Sequence, residues 1–169
     1  MTEALVITGA YGTGKSTLAA QIGDILDDSS VRYAALDLDW LTWYEDHRPR
    51  PEGDLSMLLR NLASVVGNYR SIDVDHFVVA LFLGASEDVT LLSEAMELPV
   101  RTVELVVPID LIERRLESDP TSGRRLNFEE TKVWVAKPTG TGFADLVVDN
   151  TRPILDVATE VLDWLGWLR

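Results

Sequence analysis

One segment near the start of the chain has the residue types and spacing needed to hold a run of phosphate groups. Residues 9–17 read Gly-Ala-Tyr-Gly-Thr-Gly-Lys-Ser-Thr and satisfy the pattern G-x-x-x-x-G-K-[ST]. Glycines allow a tight turn in which successive backbone N–H groups point inward at phosphate oxygens, and a following helix adds its positive N-terminal end. The sequence therefore predicts a nucleoside triphosphate site, which we call the phosphate loop.

Two side chains of the phosphate loop have separate expected roles. The Lys15 ammonium is expected to reach the β- and γ-phosphates, and the Ser16 hydroxyl is expected to bind Mg²⁺. The alternative is a glycine turn without a ligand, but only three lysines occur in the chain, so abundance does not explain one here. The expected nucleotide-binding residues are Gly9, Tyr11, Gly12, Thr13, Gly14, Lys15, Ser16 and Thr17.

A pair of carboxylates, Asp37 and Asp39, lies at the end of the predicted second strand. Ligands of open parallel sheets collect at the carboxyl ends of strands, and alternate strand residues point the same way, so both side chains are placed to face one cleft. One carboxylate of such a pair can hold Mg²⁺ through water while the other accepts a proton from an attacking hydroxyl. The alternative is a solvent-facing pair that caps a turn.

Four arginines cluster later in the chain, at Arg114, Arg115, Arg124 and Arg125. Phosphoryl transfer requires positive charge near the γ-phosphate, and arginines on a closing segment supply it while excluding water. The alternative is a solvated face on which these arginines pair with neighbouring acidic side chains, which are Glu113, Glu117 and Asp119.

Apolar runs of strand length alternate with segments of helical period, which is typical of a parallel sheet covered by helices on both faces. The predicted strands are residues 4–8, 33–38, 76–83, 100–107 and 146–148. The predicted helices are residues 16–26, 55–69, 86–96, 109–117 and 153–168, the last with Leu165 and Leu168 in its buried stripe. Residues 43–54 and 118–131 do not fit the alternation and are predicted to be flaps over the site.

The bulk composition limits the classes of function. The 169 residues fit one domain, 1–169, with 46% apolar and 25% charged residues. A net charge of -13 disfavours nucleic acid and anionic membranes as partners, and there is no cysteine for disulfides or zinc-thiolate sites. No export signal or long apolar stretch stands out, so the expected compartment is the cytoplasm.

Together, the phosphate loop, the Asp-Leu-Asp of 37–39, the Arg-Arg-Leu of 114–116 and the ending Asp-Leu-Val-Val-Asp-Asn-Thr-Arg-Pro of 145–153 resemble a known family. They are similar to the P-loop small-molecule and nucleoside monophosphate kinases, such as shikimate, gluconate and adenylate kinases. The resemblance implies an α/β, three-layer P-loop fold with a five-stranded parallel sheet of order 2-3-1-4-5. It also implies a substrate flap at 43–54 and an arginine lid at 118–131.

By position, the resemblance assigns roles to single residues. Asp39 matches the carboxylate that acts on the acceptor hydroxyl, and Asp37 matches its partner near the metal. Arg114 and Arg115 match the arginines leading into the lid, while Arg124 and Arg125 lie within it. Asn150 and Arg152 fall in the loop expected to line the adenine pocket, although Asn150 and Thr151 equally suit helix capping.

One departure from the family concerns the metal. The third strand runs into Gly84 without the acidic residue that many P-loop proteins place there, so Ser16 and Asp37 are the expected Mg²⁺ residues. The leading hypothesis is a kinase that transfers the γ-phosphoryl group of ATP to a small molecule. A nucleotide-driven switch or assembly factor acting on a protein partner is the alternative, and an inactive binding domain is a third possibility. No Asn-Lys-x-Asp guanine motif occurs, which disfavours a GTPase.

Overall fold

The computed structural model describes residues 2–41, 53–117 and 142–168. The strands are β1 (Glu3–Thr8), β2 (Tyr33–Asp37), β3 (His76–Ala80), β4 (Val100–Val106) and β5 (Leu146–Asp149). The helices are α1 (Lys15–Asp28), α2 (Gly53–Arg70), α3 (Ser86–Met96), α4 (Ile109–Glu117) and α5 (Ile154–Leu165), and a short 3₁₀ helix spans Leu38–Leu41. The predicted lid lies outside the described residues, and so does the predicted flap apart from residues 53 and 54, which begin α2.

The five strands form one parallel sheet in the order β2-β3-β1-β4-β5, which confirms the order predicted from the family resemblance. All strands run in the same direction, so their carboxyl ends share one edge of the sheet. At this edge Ala80 of β3 is in register with Ile7 of β1 and with Asp37 of β2. The segment that follows β1 therefore starts close to the end of β2.

Helices cover both faces of the sheet and produce the predicted three layers. On one face, α1 and α5 bury Leu18, Ile22 and Val161 against sheet residues such as Ile7 and Leu105. On the other face, the apolar stripes of α2 and α3 bury Leu58, Leu62, Val66, Leu92 and Met96. Strands covered on both sides are expected to be nearly continuous apolar runs, and β1 has five consecutive buried residues.

Strand β3 ends at Ala80, three residues earlier than predicted, although the apolar run continues to Leu83. Leu81 N–H still donates to the Ile7 carbonyl oxygen of β1 at 3.1 Å, but the N–H groups that follow at residues 83–85 bond to side chains. The Leu83 N–H donates to the Thr8 hydroxyl at 2.9 Å. The Asp88 carboxylate accepts from the N–H groups of Gly84 and Ala85 at 2.9 and 3.1 Å. Because these bonds satisfy the backbone locally, the chain leaves the sheet while staying beside the end of β1.

The last helix is also shorter than predicted, since it ends at Leu165. Gly166 follows with a φ of 73°, a left-handed conformation that stops a helix. As a result Trp167 turns inward and is only 6% exposed, whereas Leu168, predicted to be buried, is 41% exposed. Among the helices of the described ranges, none has the length and apolarity required to cross a membrane.

Candidate active site

The phosphate loop joins β1 to α1 at the carboxyl edge of the sheet, in the strand-loop-helix context that the sequence predicts. Gly9, Gly12 and Gly14 have φ values of 138°, 83° and 97°, which side chains rarely adopt. At Gly9 an added Cβ would also lie 2.7 Å from the Leu105 carbonyl oxygen of β4. The glycines of the motif are thus required by backbone conformation and close packing.

Lys15, the first residue of α1, reaches back across the phosphate loop. Its ammonium donates hydrogen bonds to the carbonyl oxygens of Gly9 and Ala10 at 3.0 and 3.3 Å and lies 5.9 Å from the centre of the Tyr11 ring. Burial lowers the pKa of Lys15 below its ordinary value, while the carboxylates of Asp39 and Asp37 oppose this shift. Both carboxylates therefore act electrostatically on the lysine of the loop.

Ser16 and Asp37 form the direct link between the phosphate loop and β2. The Ser16 hydroxyl donates to Oδ2 of Asp37 at 2.6 Å, although the two residues are 21 positions apart. Hydroxyl and carboxylate oxygens are ligands that Mg²⁺ prefers. The predicted metal residues are therefore neighbours, with a donor set of the right chemistry. Within the described ranges, no group of three or more His, Cys, Asp or Glu side chains is arranged to hold a metal ion.

Asp39 does not lie on the second strand, and the strand-alternation argument for it is wrong. Strand β2 stops at Asp37, and Asp39 is the second residue of the 3₁₀ helix. The Asp39 N–H donates to Oδ1 of Asp37 at 3.2 Å, so the Asp37 side chain itself helps to turn the chain out of the sheet. Asp39 is exposed and remains near Lys15 through this turn.

Asn150 and Arg115 both contact the backbone of the phosphate loop. Asn150 Nδ2 donates to the Thr13 carbonyl oxygen at 2.7 Å, and Arg115 Nη1 approaches the same oxygen at 3.4 Å. Arg115 Nη2 also donates to the Asn150 carbonyl oxygen at 2.9 Å. Asn150 is only 3% exposed. The structure thus brings both predicted residues to the loop, with protein groups as the partners of these bonds.

The other predicted residues have different surroundings. Arg114 is exposed and pairs with Asp110 one turn earlier in α4 at 2.5 Å. Arg152 pairs with Glu160 and donates to the Asp149 carbonyl oxygen at 3.3 Å. Thr17 is exposed in the first turn of α1, and Arg124 and Arg125 lie outside the described residues. The nucleotide contacts assigned to these residues stay predictions.

Sequence reasoning missed the two side chains that shape the segment after β3, Thr8 and Asp88. Thr8 is buried at the last position of β1, and its hydroxyl accepts a hydrogen bond from Leu83 N–H. Asp88 lies in the first turn of α3, and its carboxylate accepts from the N–H groups of Gly84 and Ala85. An acidic residue early in a helix after glycine was the available sequence signal for Asp88. The Thr8 contact, 75 positions long, had no local signal.

No protein-family model matches the sequence, and no curated protein matches it either. Solved structures do match. A sugar kinase from Janibacter sp. HTCC2649 has a TM-score of 0.71 and 19% identity, over 98% of this chain and 95% of the other. A shikimate kinase from Bacteroides thetaiotaomicron has a TM-score of 0.65 and 17% identity, over 97% and 98%.

An APS kinase from Mycobacterium tuberculosis, solved with AMPPNP and APS, has a TM-score of 0.59 and 20% identity over 98% of both chains. These structural neighbours are P-loop small-molecule kinases. At such low identities the similarity shows the fold, and it confirms the predicted resemblance at that level. This chain has the fold of the P-loop small-molecule kinases.

Proposed function

We propose that this chain is an ATP-dependent phosphotransferase, which moves the γ-phosphoryl group of ATP to a small metabolite. The observation that carries the proposal is the 2.6 Å hydrogen bond between Ser16 and Asp37, since it joins the phosphate loop to the carboxylates at the end of β2. A phosphate loop alone is compatible with many activities. A carboxylate pair beside the loop adds a group that can take a proton from an acceptor.

On the nucleotide side, the backbone N–H groups of the phosphate loop hold the β- and γ-phosphates together with Lys15. Burial lowers the pKa of Lys15, but phosphate oxygens near the ammonium favour its charged form. Ser16 and Asp37, which are hydrogen-bonded to each other, would hold a magnesium ion through their oxygen atoms. When bound, this ion would neutralise negative charge on the phosphate groups.

On the acceptor side, Asp39 is the general base. It accepts the proton of the acceptor hydroxyl while the hydroxyl oxygen bonds to the γ-phosphorus. The bond between that phosphorus and the bridging oxygen breaks, and ADP leaves with the electron pair of this bond. Asp39 is exposed, as a residue that must meet a second substrate has to be, and its electrostatic effect on Lys15 supports a position near the transferred group.

The test is to measure ADP release with a panel of nucleosides, sugars, hydroxy acids and antibiotics, with mass spectrometry of each compound. A kinase releases ADP much faster with one compound, and that compound gains the mass of one phosphate. The neighbours named as sugar, shikimate and APS kinases suggest hydroxyl-bearing metabolites for the first round. If no compound stimulates ADP release and a protein partner does, the nucleotide-driven switch replaces the kinase.

A further inference from the structure

We propose that Arg115 and Asn150 are positioning residues, which orient the Thr13–Gly14 peptide plane of the phosphate loop instead of contacting the nucleotide. The inference rests on the proposed triphosphate site and adds a function to two residues otherwise expected at the γ-phosphate and the base. Both side chains direct hydrogen-bond donors at one atom, the Thr13 carbonyl oxygen, at 2.7 Å from Asn150 and 3.4 Å from Arg115.

The geometry of a trans peptide links this oxygen to the phosphate site. The C=O and the following N–H of a planar trans peptide point in opposite directions, so fixing the Thr13 carbonyl also fixes the Gly14 N–H. Gly14 N–H therefore points away from Asn150 and Arg115. It is one of the inward-facing donors that the motif provides for phosphate oxygens. A rotation of this plane would replace that donor with a carbonyl oxygen, which repels phosphate.

The surroundings of Gly14 show how closely the loop and Asn150 fit. A Cβ on Gly14 would lie 2.7 Å from Asn150 Nδ2. The backbone φ of Gly14, 97°, already excludes most side chains. Asn150 is held in turn, because its own N–H donates to the Val106 carbonyl oxygen at 3.1 Å and its carbonyl accepts from Arg115. Thr13 and Asn150 are only 1% and 3% exposed, so the bond from Asn150 Nδ2 to the Thr13 carbonyl oxygen is shielded from competing water.

Helix α4 holds Arg115 in place by packing on the same loop. An added Cβ on Gly12 would lie 2.8 Å from Ile112 and 3.3 Å from Leu116. Ile112, Arg115 and Leu116 are spaced by three and four residues, so they share one face of the helix. This face meets the loop with two apolar contacts and one guanidinium. Arg114, the neighbouring arginine, instead pairs with Asp110 on its own helix.

The experiment compares the binding of AMP, ADP and ATP by calorimetry, with Mg²⁺ present, in the wild-type chain, Arg115→Ala and Asn150→Asp. Wild-type binding of ADP and ATP is measured first, and its absence refutes the proposed triphosphate site itself. If the positioning role is correct, both substitutions weaken the binding of ADP and of ATP by the same factor, roughly tenfold for the loss of one oriented donor. The affinity for AMP, which lacks a β-phosphate, changes by less than about twofold.

Three results overturn the positioning role. If Arg115→Ala weakens ATP binding and leaves ADP binding unchanged, Arg115 contacts the γ-phosphate. If Asn150→Asp weakens AMP binding, or alters the preference between ATP and GTP, Asn150 contacts the base. Unchanged binding of all three nucleotides means that neither residue orients the loop. The control substitutions, Arg32→Ala and Asn68→Ala, lie at exposed positions away from the loop and should leave all affinities as in the wild-type chain.

Thermal unfolding of each variant shows whether the fold is kept. If Arg115→Ala or Asn150→Asp does not fold, Arg115→Lys provides the test, because one ammonium cannot match the planar guanidinium that donates to two carbonyl oxygens. The expected result is again an equal loss for ADP and ATP. Millimolar guanidinium should restore ADP affinity in Arg115→Ala and leave Asn150→Asp unchanged. Failure of guanidinium to restore any affinity in a folded Arg115→Ala variant contradicts a role for the Arg115 donors.

Discussion

Asp39 and Asp37 have the same side chain but different surroundings, and the proposed chemistry separates them. Asp37 accepts from the Ser16 hydroxyl and from the Asp39 N–H, so both of its carboxylate oxygens are engaged within the protein. Asp39 is exposed at the start of the 3₁₀ helix and acts on Lys15 through its charge. The first carboxylate is suited to organising the site, and the second is suited to meeting an acceptor.

Replacing Asp39 with Asn is predicted to separate binding from transfer. The amide keeps the shape of the side chain but does not accept a proton, so transfer should fall by about a hundredfold or more while ATP affinity stays within a few fold. Initial rates with the identified acceptor and ATP binding by calorimetry measure the two effects. Asp73→Asn, an exposed position before β3, is the matched control. Transfer at the wild-type rate in Asp39→Asn would show that Asp39 is not the general base.

Ser16→Ala is predicted to raise the Mg²⁺ concentration needed for half-maximal transfer. The substitution removes the hydroxyl proposed as a metal ligand and leaves Asp37 without its 2.6 Å donor. Ser16→Thr is the control, because it keeps the hydroxyl and the motif also accepts threonine there. Rates measured against Mg²⁺ at saturating ATP give the comparison. The same Mg²⁺ dependence in Ser16→Ala and the wild-type chain would contradict the assignment.

At the scale of elements, local sequence patterns predict regular segments well and their ends less well. Helical periodicity predicted the five α-helices of the described residues, and apolar runs predicted the five strands. Two of the errors fall where a side chain competes for the backbone, as Asp37 does at Asp39 N–H and Thr8 does at Leu83 N–H. Hydrophobic patterns do not register such bonds, because they report burial and not the destination of each N–H.

The residues of the candidate site differ in the same way in how far the sequence predicts them. The phosphate loop is contiguous, so its residues were recognisable from spacing alone. The contacts of Thr13 with Arg115 and Asn150 span 102 and 137 positions, and they depend on which strands become neighbours. Resemblance to a family located these two residues near the site. It did not indicate that their donors would meet the loop backbone.

Two glycines, one after a helix and one inside a helix, provide a test of how helix ends are determined. Gly166 follows the last residue of α5 with a φ of 73°, whereas Gly67 lies inside α2. An added Cβ at either position would have no atom within 4 Å among the described residues, apart from adjacent residues and the backbone of the same helix. Gly166→Ala should therefore destabilise the fold by about 1 kcal/mol, because alanine is strained in the left-handed region. Gly67→Ala should stabilise it by roughly 0.5–1 kcal/mol through helix propensity. Urea unfolding measures both, and the same sign for the two would refute this explanation.

At the scale of the whole molecule, the carboxyl edge of the sheet, where the strands end, differs in function from the amino edge, where they begin. The phosphate loop, Asp37 and Asn150 lie at the carboxyl edge. At the amino edge, Glu3 accepts hydrogen bonds from Arg101 Nη2 at 3.1 Å and from Trp167 Nε1 at 2.7 Å, and it forms an ion pair with Arg101. Arg101 also donates to the Leu165 carbonyl oxygen at 2.7 Å. These bonds connect β1 and β4 to the end of α5, so the stabilising polar network is distant from the proposed chemistry.

His76 lies in this amino-edge network and should make the fold sensitive to acid. Its ring packs edge-on against Trp167 with centroids 4.5 Å apart, and its buried Nδ1 has no hydrogen-bond partner among the described residues. Burial lowers the pKa of His76 below its ordinary value of 6.5, although Glu3 and Asp75 oppose the shift. Between the lowered pKa and 6.5, the unfolded chain binds more protons than the folded chain.

The free energy of unfolding should therefore fall as the pH drops through 6.5, and this contribution is fully lost below the lowered pKa of folded His76. In His76→Gln, which has no titrating ring, this part of the decrease should disappear. Urea unfolding of both chains from pH 8 to pH 5 measures the difference, and the values at pH 8 give the cost of the substitution itself. Parallel curves for the two chains would show that His76 has the same pKa in both states. A steeper decrease in His76→Gln would reverse the sign of the effect and exclude burial as the dominant influence on this ring.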